Sequence, residues 1–382
     1  MDFELTEEQR IMQETARRFA QERIAPLVNE DEKAHRFRRE IVREMGEMGF
    51  FGAIIEEQYG GTAVGWLAAQ LITMEIARVS ASWGLPFNMQ MTGPAFTIQR
   101  WGTEDQKKKY IPGLVAGELL GCFAMTEPNT GSDVMSMRSM AKKTSGGFVL
   151  NGQKTWISQV QHADVGLIYA LTDPDAKHGG MTCFLLDMKS KGVTTRPIED
   201  KFGLFCSPTG EVAFEDVFIP DEAVLGKVGD GFKVCMAMLD GTRLSCGARA
   251  VAVGKACLDA AASYAKERVQ FGKPISEFQM IQSQLVDIYV EHEAARLLVL
   301  RAAASRDAGR LRNSAEISTA KYFAAEAAVH AANTAMKIFG SYGFSTEYPA
   351  ARLLRDAKSF QIVEGTSNIQ KIVIARSLLD EY

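Results

Sequence analysis

Apolar side chains over the first third of the chain recur at helical spacing. Thr6-x-x-Gln9 has the pattern of a capping box, and Met12, Ala16, Phe19 and Ala20 then fall on one helical face. Similar stripes predict helices over 41–48, 66–79 and 106–114, separated by turn chemistry at Tyr59-Gly60-Gly61 and Gly93-Pro94. Near residue 120 the pattern shortens to strands. Phe148-Val149-Leu150 and Thr155-Trp156-Ile157, joined at Asn151-Gly152, read as a hairpin, with further strands over 165–171, 182–186 and 211–218. After Gly229-Asp230-Gly231 helical periodicity returns. There Ile281, Leu285, Ile288, His292 and Ala295 follow the spacing of a bundle seam. The order helical, β, helical excludes a doubly wound βαβ sheet and predicts an α+β chain cut into 1–119, 120–230 and 231–382.

With 382 residues, of which 46% are apolar, the chain can bury two or three cores, because a single core stops growing near about 250 residues. A net charge of −4 gives no electrostatic reason to expect nucleic acid or an anionic membrane as partner. Six cysteines without a C-x-x-C pair and five scattered histidines argue against a zinc site, and the chain is too large and too sparse in cysteine for a disulfide framework. No stretch approaches the roughly 20 uninterrupted apolar residues of a membrane span. The acidic N-terminus lacks a signal-peptide pattern, so a reducing cytoplasm is expected.

Six segments offer chemistry. In Phe123-Ala-Met125-Thr126-Glu-Pro-Asn-Thr-Gly131-Ser132-Asp133 a strand opens into a loop rich in N–H and hydroxyl donors; on composition alone a β-turn after an edge strand is the favoured reading. Lys154-Thr-Trp156-Ile-Ser158 puts Trp156 and Ser158 on one strand face, as would an ordinary core tryptophan. Asp240-Gly-Thr-Arg243, read at the start of a long helix, suits a phosphate contact or a plain ion pair. Glu267-Arg268-Val-Gln-Phe-Gly272, with Gln279, joins an arginine fork to a glycine turn, which suits a pyrophosphate or an Arg–carboxylate pair at a helix end. Ile338-Phe-Gly340-Ser-Tyr-Gly-Phe344 resembles a dinucleotide loop only loosely. Glu364-Gly365-Thr366-Ser-Asn368-Ile-Gln370 places a carboxylate just before an apolar helix, as a helix-dipole acid also would.

In this order the segments resemble the acyl-CoA dehydrogenase family over essentially the whole chain, most specifically at 125–133, 267–273 and 364–370. The resemblance implies an N-terminal helical domain, a central β-domain and a C-terminal four-helix bundle, with FAD bound and usually a homotetramer. It also implies α-proton abstraction from an acyl-CoA thioester, β-hydride transfer to flavin N5, and electron-transfer flavoprotein as acceptor. Glu364 matches the family's base. Members that carry the base beside the arginine matching Arg243 have an acid there, whereas this chain has Thr242.

Phe123, Met125, Thr126, Gly131, Ser132, Trp156, Ser158, Thr366 and Asn368 match flavin contacts. Arg268, Gln279, Lys337 and Gly340 match contacts to FAD of a neighbouring subunit, although Lys337-Ile-Phe-Gly-Ser341 departs from the usual Gln-x-x-Gly-Gly and Phe278 replaces a common His. Ser132, Asp240, Arg243 and Gly365 match positions near the acyl-CoA. The competing readings are a flavin oxidase or monooxygenase on the same fold and a non-catalytic flavin- or CoA-binding subunit.

Within the family, Glu118-Leu-Leu-Gly-Cys-Phe123 and Ser207-Pro-Thr-Gly210 are most similar to the glutaryl-CoA and alicyclic carboxyl-CoA branch. Glutaryl enzymes place an arginine where this chain has Gly84. With Trp83, Phe87, Met89 and Met91 around it, an apolar pocket is expected, and hence a cyclic or branched group such as cyclohexane-1-carboxyl-CoA rather than glutaryl-CoA or a short straight chain.

Overall fold

The structure is a computed structural model that describes residues 4–380. Among the described residues the first α-helices are α1 (Glu7–Phe19), α2 (Val28–Ala34), α3 (Arg39–Glu47), α4 (Trp66–Val79), α5 (Ala81–Gln90), α6 (Phe96–Trp101) and α7 (Glu104–Val115). The Thr6 hydroxyl accepts from the Gln9 N–H, and the Gln9 side chain accepts from the Thr6 N–H, so the capping box forms. A second box, Thr103 with Gln106, starts α7.

Strands β1 (Gly121–Ala124), β2 (Met140–Thr144), β3 (Gly147–Ser158), β4 (Val165–Leu171), β5 (Met181–Asp187), β6 (Val193–Pro197) and β7 (Thr209–Pro220) form one sheet in the order β1-β4-β2-β3-β7-β6, with β5 also paired to β4. The hairpin expected at Asn151-Gly152 is absent. Residues 147–158 form a single strand, and the turn lies at Ser145-Gly146, where Thr144 pairs with Gly147 and Gly146 takes a φ of +73°. At Asn151-Gly152 the pairing with β7 shifts register instead. The Asn151 amide donates to the Asp216 carboxylate at 2.9 Å, and a Cβ on Gly152 would lie 2.7 Å from Ser139 Cα. Glycine here lets two chains approach inside a sheet, as it does at bulges.

The remaining chain is α8 (Gly231–Glu267), a small hairpin of β8 (Val269–Gln270) and β9 (Lys273–Pro274), α9 (Gln279–Asp307), α10 (Ser314–Phe339), α11 (Pro349–Phe360) and α12 (Ser367–Leu379). Helices α8, α9 and α10 pack on one another, α11 lies against α8 and α10, and α12 against α10. From the N-terminal part α4 packs on α8 and α9. Both helical parts therefore share one apolar core, running from Ala16 to Phe360, while the sheet has a second around Phe148, Phe184 and Phe214. Among the described residues no helix is long and apolar enough to cross a membrane. All six cysteines are free and buried.

Candidate active site

Asp240-Gly-Thr-Arg243 does not begin a helix. It lies ten residues inside α8 and is buried against the turn that joins α11 to α12. That turn carries Glu364, which takes a left-handed φ of +59° two residues before Thr366, the N-cap of α12. It is thus outside the first turn of the helix, and its backbone conformation is one that non-glycine residues adopt only where their surroundings impose it.

The surroundings supply that constraint. Arg243 Nε donates to the Glu364 carbonyl at 3.0 Å, and the Gln370 amide reaches the same carbonyl at 3.2 Å. Lys321 Nζ and the Gln370 amide both donate to the Gly365 carbonyl, at 2.7 and 2.9 Å. Two cations and an amide therefore fix the turn through its carbonyls, while the Glu364 N–H donates to no acceptor among the described residues. The carboxylate accepts from the Thr242 hydroxyl at 2.6 Å. Asp240 lies 3.6 Å from the Arg243 guanidinium and accepts from Ser314 at 2.6 Å. Burial holds the Lys321 ammonium below the ordinary lysine range, opposed by Cys246 and Glu364.

A second group sits on the sheet. Thr126 is tied to β3 by the Thr155 N–H at 2.9 Å. Lys154, fully buried, donates to the Met125 carbonyl and to Glu127 at 3.2 and 2.8 Å. Glu127 in turn accepts the N–H groups of Arg138 and Ser139, which fixes both ends of the 125–139 loop. Phe123, Thr126 and Ser158 are half-buried, and Gly131 and Ser132 are exposed. Trp156 is not a core residue: 59% of its surface is open, at a φ of +60°, between buried Thr155 and Ile157. An open indole held in that conformation beside a loop of donors fits a flat, polar aromatic group. The sheet group and the Glu364 turn meet at Cys235 of α8, which touches Met125 and feels the charges of Arg243, Glu364 and Lys154.

Arg268, Gln279, Lys337 and Gly340 form a third set, at one end of the bundle. Arg268 caps α8, with its guanidinium carbon 5.5 Å from the ring of Tyr342 in the turn after Gly340. Gln279 and Lys337 are exposed. Among the described residues no hydrogen bond or ion pair joins this set to Glu364.

The expectation of a pocket without a cation at Gly84 is overturned. A Cβ on Gly84 would lie 3.1 Å from Cδ of Arg249, which reaches it from α8. Trp83, Phe87, Met89 and Met91 are fully buried members of the main core. Arg249 and Lys321 are functional candidates that the sequence alone did not single out; for Arg249 the available signal was a lone charge within Cys246-Gly-Ala-Arg-Ala-Val-Ala-Val253.

Family models for the acyl-CoA dehydrogenase N-terminal, middle and C-terminal domains match residues 6–118, 122–217 and 229–379. The chain belongs to the acyl-CoA dehydrogenase family. It is 47% identical to a glutaryl-CoA dehydrogenase of Desulfococcus multivorans over 98% of this chain and 97% of that one. A glutaryl-CoA dehydrogenase solved with glutaryl-CoA superposes with a TM-score of 0.98 at 46% identity, covering 100% of this chain and 97% of the other. A glutaryl-CoA dehydrogenase from Mycobacterium smegmatis solved with FADH2 does so at 0.93 and 28% identity, covering 98% and 95%. The fold is that of the family, the cofactor is FAD, and the enzyme is an oxidoreductase acting on CH–CH groups.

Proposed function

We propose that Glu364 is the base that removes the α-proton of an acyl-CoA thioester. The observation that carries this is its setting: a carboxylate at the junction of sheet and bundle, with its backbone pinned by Arg243, Lys321 and Gln370. The free Glu364 N–H is the donor available to the charge that develops on the thioester oxygen. Asp240, Arg243, Gly365 and Ser132 line the approach of the acyl-CoA. Bound FAD supplies the acceptor for the β-hydride. Phe123, Met125, Thr126, Gly131, Ser132, Trp156 and Ser158 would hold its ring system, with Thr366 and Asn368 from the helical side. Arg268, Gln279, Lys337 and Gly340 would serve FAD of a neighbouring subunit.

A homotetramer is the assembly that fits. Val286, Tyr289, Val290 and Leu297 form an exposed apolar stripe on α9, and Phe271 beside Arg268 is 94% exposed. Electron-transfer flavoprotein is the proposed acceptor, the cytoplasm the proposed location, and 1–119, 120–230 and 231–382 the proposed domains. Cyclohexane-1-carboxyl-CoA loses its premise with the cation beside Gly84, and stands below as a competitor. Anaerobic addition of acyl-CoA esters to the purified yellow protein tests the reading. Bleaching of the flavin band is expected, and a flavin that no ester bleaches would refute it.

A further inference from the structure

Arg249 is completely buried, yet no acceptor among the described residues reaches its Nε, Nη1 or Nη2. An ionised guanidinium held in a protein interior without partners is costly, and arginine cannot shed its proton to escape that cost. Arg249 lies over the ring of Phe360, whose centroid is 5.7 Å from the guanidinium carbon. Lys321 on α10, of the same sign, feels its charge. The buried acids of neighbouring elements do not pair with it. Asp356 accepts from the Leu204 N–H and Glu32 from Ser82 and Cys206, and although each keeps one oxygen without a hydrogen-bond partner, neither forms an ion pair with Arg249 among the described residues.

Its place on α8 gives the missing partner a direction. Thr242, Cys246 and Arg249 follow i, i+4, i+7 spacing and so share one face of the helix. Thr242 is in contact with the Glu364 carboxylate, so this stripe starts at the base and ends at the guanidinium. Seven residues of helix rise about 10 Å, and side chains on a helix lean back toward its N-terminus, which tilts the Arg249 head toward Cys246. Gly84 on α5 makes the arrangement possible, since any side chain there would meet the Arg249 stem at 3.1–3.2 Å.

We propose that Arg249 receives a carboxylate at the far end of the acyl chain, so that the substrate is a dicarboxylic acid carrying CoA on one end. This rests on the acyl-CoA dehydrogenase reading of Glu364. The lengths agree. In a five-carbon diacid the terminal carboxyl lies about 4–5 Å beyond the α-carbon, and a contact of about 3 Å at each end brings the span to about 10 Å. A planar fork with free donors is the group that pairs best with a carboxylate. An uncharged chain of the same length would leave the guanidinium without an acceptor.

The holoenzyme decides this by anaerobic flavin bleaching with glutaryl-CoA, pentanoyl-CoA and cyclohexane-1-carboxyl-CoA at subsaturating concentration. Glutaryl-CoA should exceed the other two in kcat/KM by at least about tenfold. Arg249→Met should lower the glutaryl-to-pentanoyl ratio by about 100-fold, the scale set by stranding one partner of a buried charge pair. A wild-type preference for either uncharged ester overturns the proposal. So does an unchanged ratio in Arg249→Met, which would assign Arg249 to the buried acids Asp356 and Glu32. Should that variant lose its FAD, the wild-type ranking and Arg249→Lys carry the test. If no ester bleaches the flavin, the dehydrogenase reading has failed. Calorimetric comparison of glutaryl-CoA with pentanoyl-CoA binding still decides the carboxylate site, equal affinity overturning it.

Discussion

The Thr242 hydroxyl donates to the Glu364 carboxylate at 2.6 Å, across 122 residues of chain. The two positions at which members of the family are expected to carry their base are thus neighbours in space. The site needs one acid, and the fold offers it from either α8 or the turn before α12.

Glu364→Gln should retain FAD and bind acyl-CoA, because the amide keeps an oxygen for Thr242 and leaves the backbone contacts to Arg243 and Gln370 in place. Flavin reduction by substrate, followed anaerobically, should slow by about 10²–10⁴-fold, the usual contribution of a general base. Bleaching at the wild-type rate would remove Glu364 from the mechanism.

Moving the acid should work in part. Glycine accepts the left-handed backbone of residue 364 without strain, so Glu364→Gly preserves the turn, and Thr242→Glu then sets a carboxylate beside the vacated position. The double variant should bleach at least about tenfold faster than Glu364→Gly alone. Equal rates would show that the acid at 242 cannot reach the α-carbon.

Arg268→Ala should weaken FAD retention by about 1.5–3 kcal/mol, the worth of a charge-assisted hydrogen bond. Equilibrium dialysis of the flavin measures it. If the neighbouring subunit provides the contact, the loss should become steeper on dilution. Unchanged affinity would take Arg268 away from the cofactor.

The elements were legible where local chemistry specifies them. Thr6 and Gln9 announce α1, and the strands over 165–171 and 182–186 stand where continuous apolar runs required them. Asn151-Gly152 misled because the same dipeptide serves a hairpin turn or a bulge, and only Asp216 and Ser139, far off in sequence, select the bulge. Glu364 was legible as a site residue but not its left-handed backbone, which Arg243, Lys321 and Gln370 impose through tertiary hydrogen bonds. Arg249 was invisible because a lone arginine in an alanine-rich helix reads as a surface charge until the opposing helix is known.

Asp356 on α11 is fully buried, and burial, with Glu32 adding to it, pushes its carboxyl up to about 6 from the ordinary 3.8. The folded chain therefore holds this proton more tightly than the unfolded one. Its contribution to stability is complete below the unfolded value and is lost as pH rises through about 6. The Leu204 N–H, which donates to one Asp356 oxygen at 2.8 Å, can donate equally to an amide oxygen, so Asp356→Asn keeps that bond and cannot ionise. Other carboxylates titrate in both proteins and cancel in the comparison. Urea unfolding at pH 5 and at pH 7.5 should give a difference between variant and wild type that moves in favour of Asp356→Asn at the higher pH, by about 1–3 kcal/mol. A difference independent of pH would mean that Asp356 stays charged in the folded protein, held by Arg352 and Arg355 more strongly than burial opposes it.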